Sequence, residues 1–122
     1  MKKLLLLLVA ILLFIGCNKD EDKDDNNNKS ETIKCIADCS KAQFYVRADV
    51  NGNVVGGGHL QVKHWEEEYA LGSGDRIDLI AMNEALQCSL SVQILYKGVV
   101  VASDSDYFIH LDNTVPVSYT IP

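Results

Sequence analysis

Phe44-Tyr45-Val46-Arg47-Ala48-Asp49-Val50-Asn51-Gly52 is the stretch that decides the fold. Apolar side chains at 44, 46, 48 and 50 alternate with Tyr45, Arg47 and Asp49. That period of two places one set on a buried face and the other in water. Asn51-Gly52 is a tight-turn dipeptide of the kind that closes a hairpin. The pattern recurs downstream. Leu60, Val62 and His64 alternate with Gln61, Lys63 and Trp65, and Tyr69 and Leu71 precede the turn Gly72-Ser73-Gly74-Asp75. Ile77, Leu79 and Ala81 alternate with Asp78 and Ile80, while Leu90, Val92, Ile94 and Tyr96 face opposite to Ser89, Ser91, Gln93 and Leu95. Lys97-Gly98 makes a hairpin into Val99-Val100-Val101, and Val115, Val117, Tyr119 and Ile121 close the chain. Gly56-Gly57-Gly58 is expected to interrupt any regular element. Glu66-Glu67-Glu68 reads as a solvated strand edge that discourages edge-to-edge pairing. Seven short strands spaced roughly 8–12 residues apart, without a convincing helix, predict a seven-stranded antiparallel immunoglobulin-like β-sandwich over residues 33–122.

What precedes the strands sets the expected location. Lys2 and Lys3 lead into an unbroken apolar run, Leu4 to Ile15, followed by Gly16-Cys17. As a helix that run spans roughly 18 Å, too short for a hydrocarbon core of roughly 30 Å. A positive start, a short apolar core and a small residue before a cysteine mark residues 1–16 as a lipoprotein signal peptide. Phe14 stands where such leaders usually carry Leu; the alternative is an uncleaved N-terminal anchor. In the lipoprotein reading Cys17 becomes the mature N-terminus and its thiol takes diacylglycerol, with palmitate among the acyl chains. Two or three chains hold a protein on a bilayer where one is reversible. Residues 17–32 then form a lipidated cysteine and an acidic disordered tether, since Asn18 to Thr32 contains no apolar side chain. Lys19-Asp20-Glu21-Asp22 resembles the Lys/acidic signal that sends some Gram-negative lipoproteins to the outer face of the outer membrane.

Charge and cysteines narrow the function. Without the two leader lysines the chain carries 9 Lys and Arg against 17 Asp and Glu, a formal charge of −8. An acidic exported chain without a basic cluster excludes nucleic acid as an expected partner. Cys35, Cys39 and Cys88 remain beside Cys17, so at most one internal disulfide forms in an oxidising compartment. A bond from either early cysteine to Cys88 closes about 50 residues, worth roughly 4 kcal/mol; a Cys35–Cys39 bond closes about 5, worth roughly 2 kcal/mol. One of the two early cysteines bonded to Cys88 is therefore expected.

Several segments together resemble a family. Residues 44–52, Trp65, Gly74-Asp75-Arg76-Ile77-Asp78-Leu79-Ile80-Ala81 and Val92-Gln93-Ile94-Leu95-Tyr96-Lys97-Gly98-Val99-Val100 are similar to the strands and hairpin of small β-sandwich domains of the MmpS family, across about residues 43–121. Those are membrane-anchored accessory proteins of lipid exporters. The resemblance implies an immunoglobulin-like sandwich and a non-catalytic role, with a lipid anchor in place of the family's transmembrane helix. Cys39, Trp65 and Cys88 also imitate the Cys…Trp…Cys order of true immunoglobulin domains. The tryptophan lies too far from the first cysteine, and Leu86 occupies the tyrosine-corner position, which excludes that family.

No pattern of catalytic chemistry stands out. His59, His64 and His110 are the histidines, and no Gly-x-Ser-x-Gly elbow accompanies them. His59 and His64 would point to opposite faces of one strand, and His110 with Asp112 reads as a strand-end polar pair. Asp104-Ser105-Asp106 lacks the glycine and terminal Glu of a calcium loop and reads as a solvated turn. The alternative function is a metal-binding or catalytic domain using Cys35, Cys39, Cys88 and a histidine. No cofactor motif is present, and no metal is expected. Binding through loops leads instead, to an unknown protein or glycan partner. The expected platform joins Asn51–Gly58 to Ser103–Asn113, with Tyr107, Phe108 and His110 as partner contacts. The aromatic pair has a second reading, as a plug in the core.

Overall fold

The computed structural model describes residues 30–122. The leader, Cys17 and residues 18–29 of the expected tether lie outside the described residues. The described chain is all-β: two four-stranded antiparallel sheets packed as a sandwich. The strands are β1 (Glu31–Cys39), β2 (Phe44–Val50), β3 (Asn53–Leu60), β4 (His64–Leu71), β5 (Arg76–Asn83), β6 (Cys88–Tyr96), β7 (Val99–Phe108) and β8 (Thr114–Thr120). One sheet runs β4-β1-β6-β7 and the other β3-β2-β5-β8. Their inner faces bury Ile33, Phe44, Val46, Ile77, Leu79, Leu90, Val92 and Ile94, the sets that the period of two assigns to one side of each strand.

The sandwich has eight strands among the described residues, not seven, and the difference starts at β1. Its inward residues are Ile33, Cys35, Ala37 and Cys39, all buried. Small side chains and buried cysteines behave as core apolar groups, although their spacing invites a reading as reactive thiols. Glu31 and Thr32 belong to this strand rather than to the tether. Leu60–Trp65 is not one strand; residues 61–63 turn the chain between β3 and β4. Residues 103–108, including Asp104-Ser105-Asp106, lie in β7 and not in a loop or turn. The order also departs from the immunoglobulin one. There the first two strands are neighbours in one sheet, whereas here β1 and β2 lie in opposite sheets.

The glycine triplet does not break β3, which runs through it with one irregularity opposite Ala48 and Asp49. Gly56 lies under the Tyr69 hydroxyl, which donates to Glu67 at 2.7 Å, so a side chain there would displace both. Gly57 is more constrained. Its φ is +102° and a Cβ would overlap the Val46 carbonyl across the ladder. Gly57→Ala is expected to destabilise the domain by about 1–3 kcal/mol, seen as a lower urea midpoint with an unchanged m value.

The strand directions give the sandwich two poles. Glu31 pairs with Leu71, and Asn51 bonds to Arg76 and Asp75, so the start of β1, the 51–52 turn and the 72–75 loop share the near pole. Cys39 bonds to Lys63, Ser40 to Ser89, and Asn83 to Asn113, which gathers the loops 40–43, 61–63, 84–87 and 109–113 at the far pole. Asn83 ties the last two together. It is fully buried, its amide donates to the Ala85 carbonyl at 3.1 Å and to the His110 carbonyl at 2.5 Å, and its Oδ1 accepts from the Asn113 amide at 2.8 Å.

Candidate functional site

With apolar residues turned inward, the alternate positions of β4, β1, β6 and β7 form a polar outer face. Register aligns them in rows. Asp38 sits opposite His64 on one side and Ser91 on the other, and Ser91 is opposite Ser105. The adjacent row places Ser89 opposite Tyr107, and Ser89 accepts the Ser40 amide. Together these rows line an open depression of about 590 Å³ at the far end of the sheet. Tyr107 stands at its rim, 55% exposed. A flat aromatic ring beside clustered hydroxyls and carboxylates offers one stacking surface and many directional hydrogen bonds.

His64 shapes the charge of this face. Its Nδ1 lies 2.5 Å from Asp38 Oδ1 and its Nε2 lies 3.0 Å from Glu66 Oε1. Glu66 also meets Lys34 Nζ at 3.4 Å. The hydrogen bonds to Glu66 and Asp38 favour the imidazolium and raise the histidine above its ordinary value of 6.5. Glu66 is lowered in return, first by His64 and then by Lys34. A raised pKa in the folded chain means that His64 stabilises the fold fully below the unfolded value. The contribution is lost as pH rises through the folded value. An NMR titration is therefore expected to place the His64 midpoint above 6.5, and Glu66→Gln to move it back down. Both ring nitrogens face carboxylates, so neither is free to take a proton from a neighbouring serine.

The structure separates the residues that the sequence grouped. Tyr107 and Phe108 point to opposite sides of β7: Tyr107 is exposed on the outer face, and Phe108 packs against the core. Phe108 is thus the plug of the two readings, and Tyr107 alone faces solvent. His110 lies in the far-pole loop, where its carbonyl accepts from Asn83 and Asn113. The two halves of the expected platform do not meet. Residues 51–58 begin at the near pole and run along the β3 flank, while 103–113 follow β7 on the other flank.

The histidines and cysteines are likewise apart. His59 and His64 occupy different strands, and His59 bonds Glu84 at 2.8 Å and lies 4.9 Å from the Tyr45 ring. His110 and Asp112 belong to the loop after β7, not to a strand end. Cys35, Cys39 and Cys88 are buried free thiols, so the expected bond to Cys88 is not formed in this structure. Among the described residues, no three His, Cys, Asp or Glu side chains converge as a metal requires. The carboxylates at His64 lie on opposite sides of its ring and cannot share one ion with it.

Asp38, Ser89 and Ser91 were not singled out from sequence, and His64 and Ser105 were weighed there only for metal or catalytic chemistry. The alternation of serines along β6 and β7 was a visible signal, but the partners that complete the depression come from β1 and β4. Compared with known protein families, curated proteins and solved structures, the chain matches none.

Proposed function

We propose that this protein is a non-catalytic lipoprotein of the cell envelope, held on the outer membrane through Cys17, whose exposed sandwich binds a polyhydroxylated glycan. The observation that carries the reading is where the depression lies. β1 begins at Glu31 on the side from which the anchor arrives, and Asp38 to Ser40 border the depression at its other end. Nine residues of strand span about 27 Å, so the polar face is presented away from the bilayer. The occupied nitrogens of His64 support binding over catalysis. An accessory role in the envelope is what the resemblance to the MmpS family adds.

Two measurements test this. Cys17→Ser in the full chain is expected to abolish palmitate labelling and move the protein from membranes to the soluble fraction; retention in membranes would leave the leader as an uncleaved anchor. On an array of envelope and cell-surface glycans, the detergent-solubilised protein is expected to bind a subset. Tyr107→Ala should weaken that binding roughly 2- to 12-fold, the loss of about 0.5–1.5 kcal/mol of ring contact, without lowering Tm. Binding unaffected by Tyr107→Ala, or no glycan bound, would overturn the assignment of this face and favour a protein partner.

A further inference from the structure

We infer that Cys39 and Cys88, and not Cys35, form the one intramolecular disulfide of the folded domain when it meets a disulfide oxidant, with Cys39 reacting first. The argument starts from register. Cys39 closes β1 opposite Leu90, and the ladder continues one step, with the Ser40 amide donating to the Ser89 carbonyl at 3.0 Å and the Ser89 amide to Ser40 Oγ at 2.8 Å. Cys88 lies in the next row. Cys39 and Cys88 therefore share the inner face as diagonal neighbours about 7–8 Å apart, a gap that a small shift of the strand end after Cys39 closes to bonding range. The chain bends after Cys39 so that the Lys41 amide donates to its Sγ at 3.4 Å, which turns the sulfur toward the row of Cys88. Cys39 and Asn83 both lie close enough to the Cys88 thiol to shift its titration.

Cys35 is excluded by the same geometry. It lies four residues back along β1, roughly 13 Å from Cys39, opposite Ile94 and Glu67. Bonded cysteines usually have Cα atoms about 4.4–6.8 Å apart. Burial also pushes the Cys35 thiol up to about 12, with Glu67 adding to it. Exposure then orders the two steps. Cys39 lines the depression and retains 4% exposure, whereas Cys35 and Cys88 have none.

The oxidant is an external disulfide, such as glutathione disulfide or a protein dithiol catalyst in its oxidised form. The Cys39 thiolate attacks one of its sulfurs, the external S–S bond breaks, and one half leaves as a thiolate. The Cys88 thiolate then attacks the Cys39 sulfur of the mixed disulfide, forms the Cys39–Cys88 bond and releases the second half. The two protons from Cys39 and Cys88 end on the two leaving thiolates, so the external disulfide gains the two electrons that the pair loses. Burial, reinforced by Cys39, holds the Cys88 thiol at about 11, which makes the second step the slow one.

The test uses the reduced full chain in detergent, oxidised with glutathione disulfide, alkylated, and cut with trypsin and an Asp-specific protease. Cleavage after Lys34, before Asp38 and after Lys41 parts Cys35 from Cys39. The expected product links Asp38–Lys41 to the Cys88 peptide Asp78–Lys97, with Cys35 alkylated. Cys39→Ser and Cys88→Ser should each abolish the gain of about 2 Da on reduction, and Cys35→Ser should retain it. A link through Cys35, or three alkylated cysteines after oxidation, would overturn the inference. Should a variant fail to fold, the peptide map of the unaltered chain decides alone.

Discussion

Asn83→Ala is expected to destabilise the domain by about 3 kcal/mol, a fall of roughly 15 °C in Tm for a domain of this size. The substitution removes no large apolar surface. It strips the partner from three backbone groups at once: the carbonyls of Ala85 and His110 and the amide of Asn113. A backbone group left unpaired in a buried position costs about 1–3 kcal/mol, and water entering the opened loops recovers part of that. Asn83→Asp keeps the acceptor for Asn113 and loses both donors, so it should fall between Ala and the native residue only if the acceptor matters. Amide exchange offers a local check. Residues 109–113 should exchange faster in Asn83→Ala under conditions where the core strands remain protected. Unchanged protection there would mean that the loop holds its shape without the side chain.

Phe44→Ala is expected to cost about 3–5 kcal/mol. Phe44 is fully buried at the start of β2, between Leu60 on β3 and Asn83 on β5. Its ring lies where β2 leaves the far pole, and the surrounding strands cannot close on the space because each is fixed by a ladder. The urea midpoint should fall while m stays constant, as it does when stability changes without loss of two-state behaviour. Phe44→Leu retains most of the volume and should cost less than about 1.5 kcal/mol. Equal losses for the two variants would show that the site collapses around any smaller residue.

The legible part of the fold is the part whose inward residues are conventional core formers. β2, β5 and β6 follow directly from Phe44-x-Val46-x-Ala48, Ile77-x-Leu79-x-Ala81 and Leu90-x-Val92-x-Ile94. The hairpins at Asn51-Gly52 and Lys97-Gly98 were also readable, and all four residues adopt the positive φ that such turns require, between 51° and 85°. The triplet Glu66-Glu67-Glu68 lies on β4, an edge strand, as its charge indicated. β1 was hidden because, after Ile33, its inner face is cysteine and alanine. Most of β7 was hidden because Ser103 to Tyr107 are all exposed, and a strand without a buried side shows no alternation. The candidate site was less readable than the fold. Tyr107 belongs to it and was singled out, yet the Asp38–His64 contact joins residues 26 apart in the chain through the pairing of β1 with β4. No local pattern encodes that pairing; it follows from which strands share a sheet.

The arrangement of the poles has a practical consequence. Ile121 bonds to Asp75 and to Gly74 through its backbone, and Glu31 pairs with Leu71, so the chain enters and leaves the sandwich on the same side. A fluorescent protein or affinity tag joined after Pro122 would project from the pole where β1 begins and leave the depression around Asp38 and Tyr107 uncovered. Labels meant to report occupancy of that face belong in the loops 61–63 or 84–87, while immobilisation through the C-terminus would leave that face turned toward the solution.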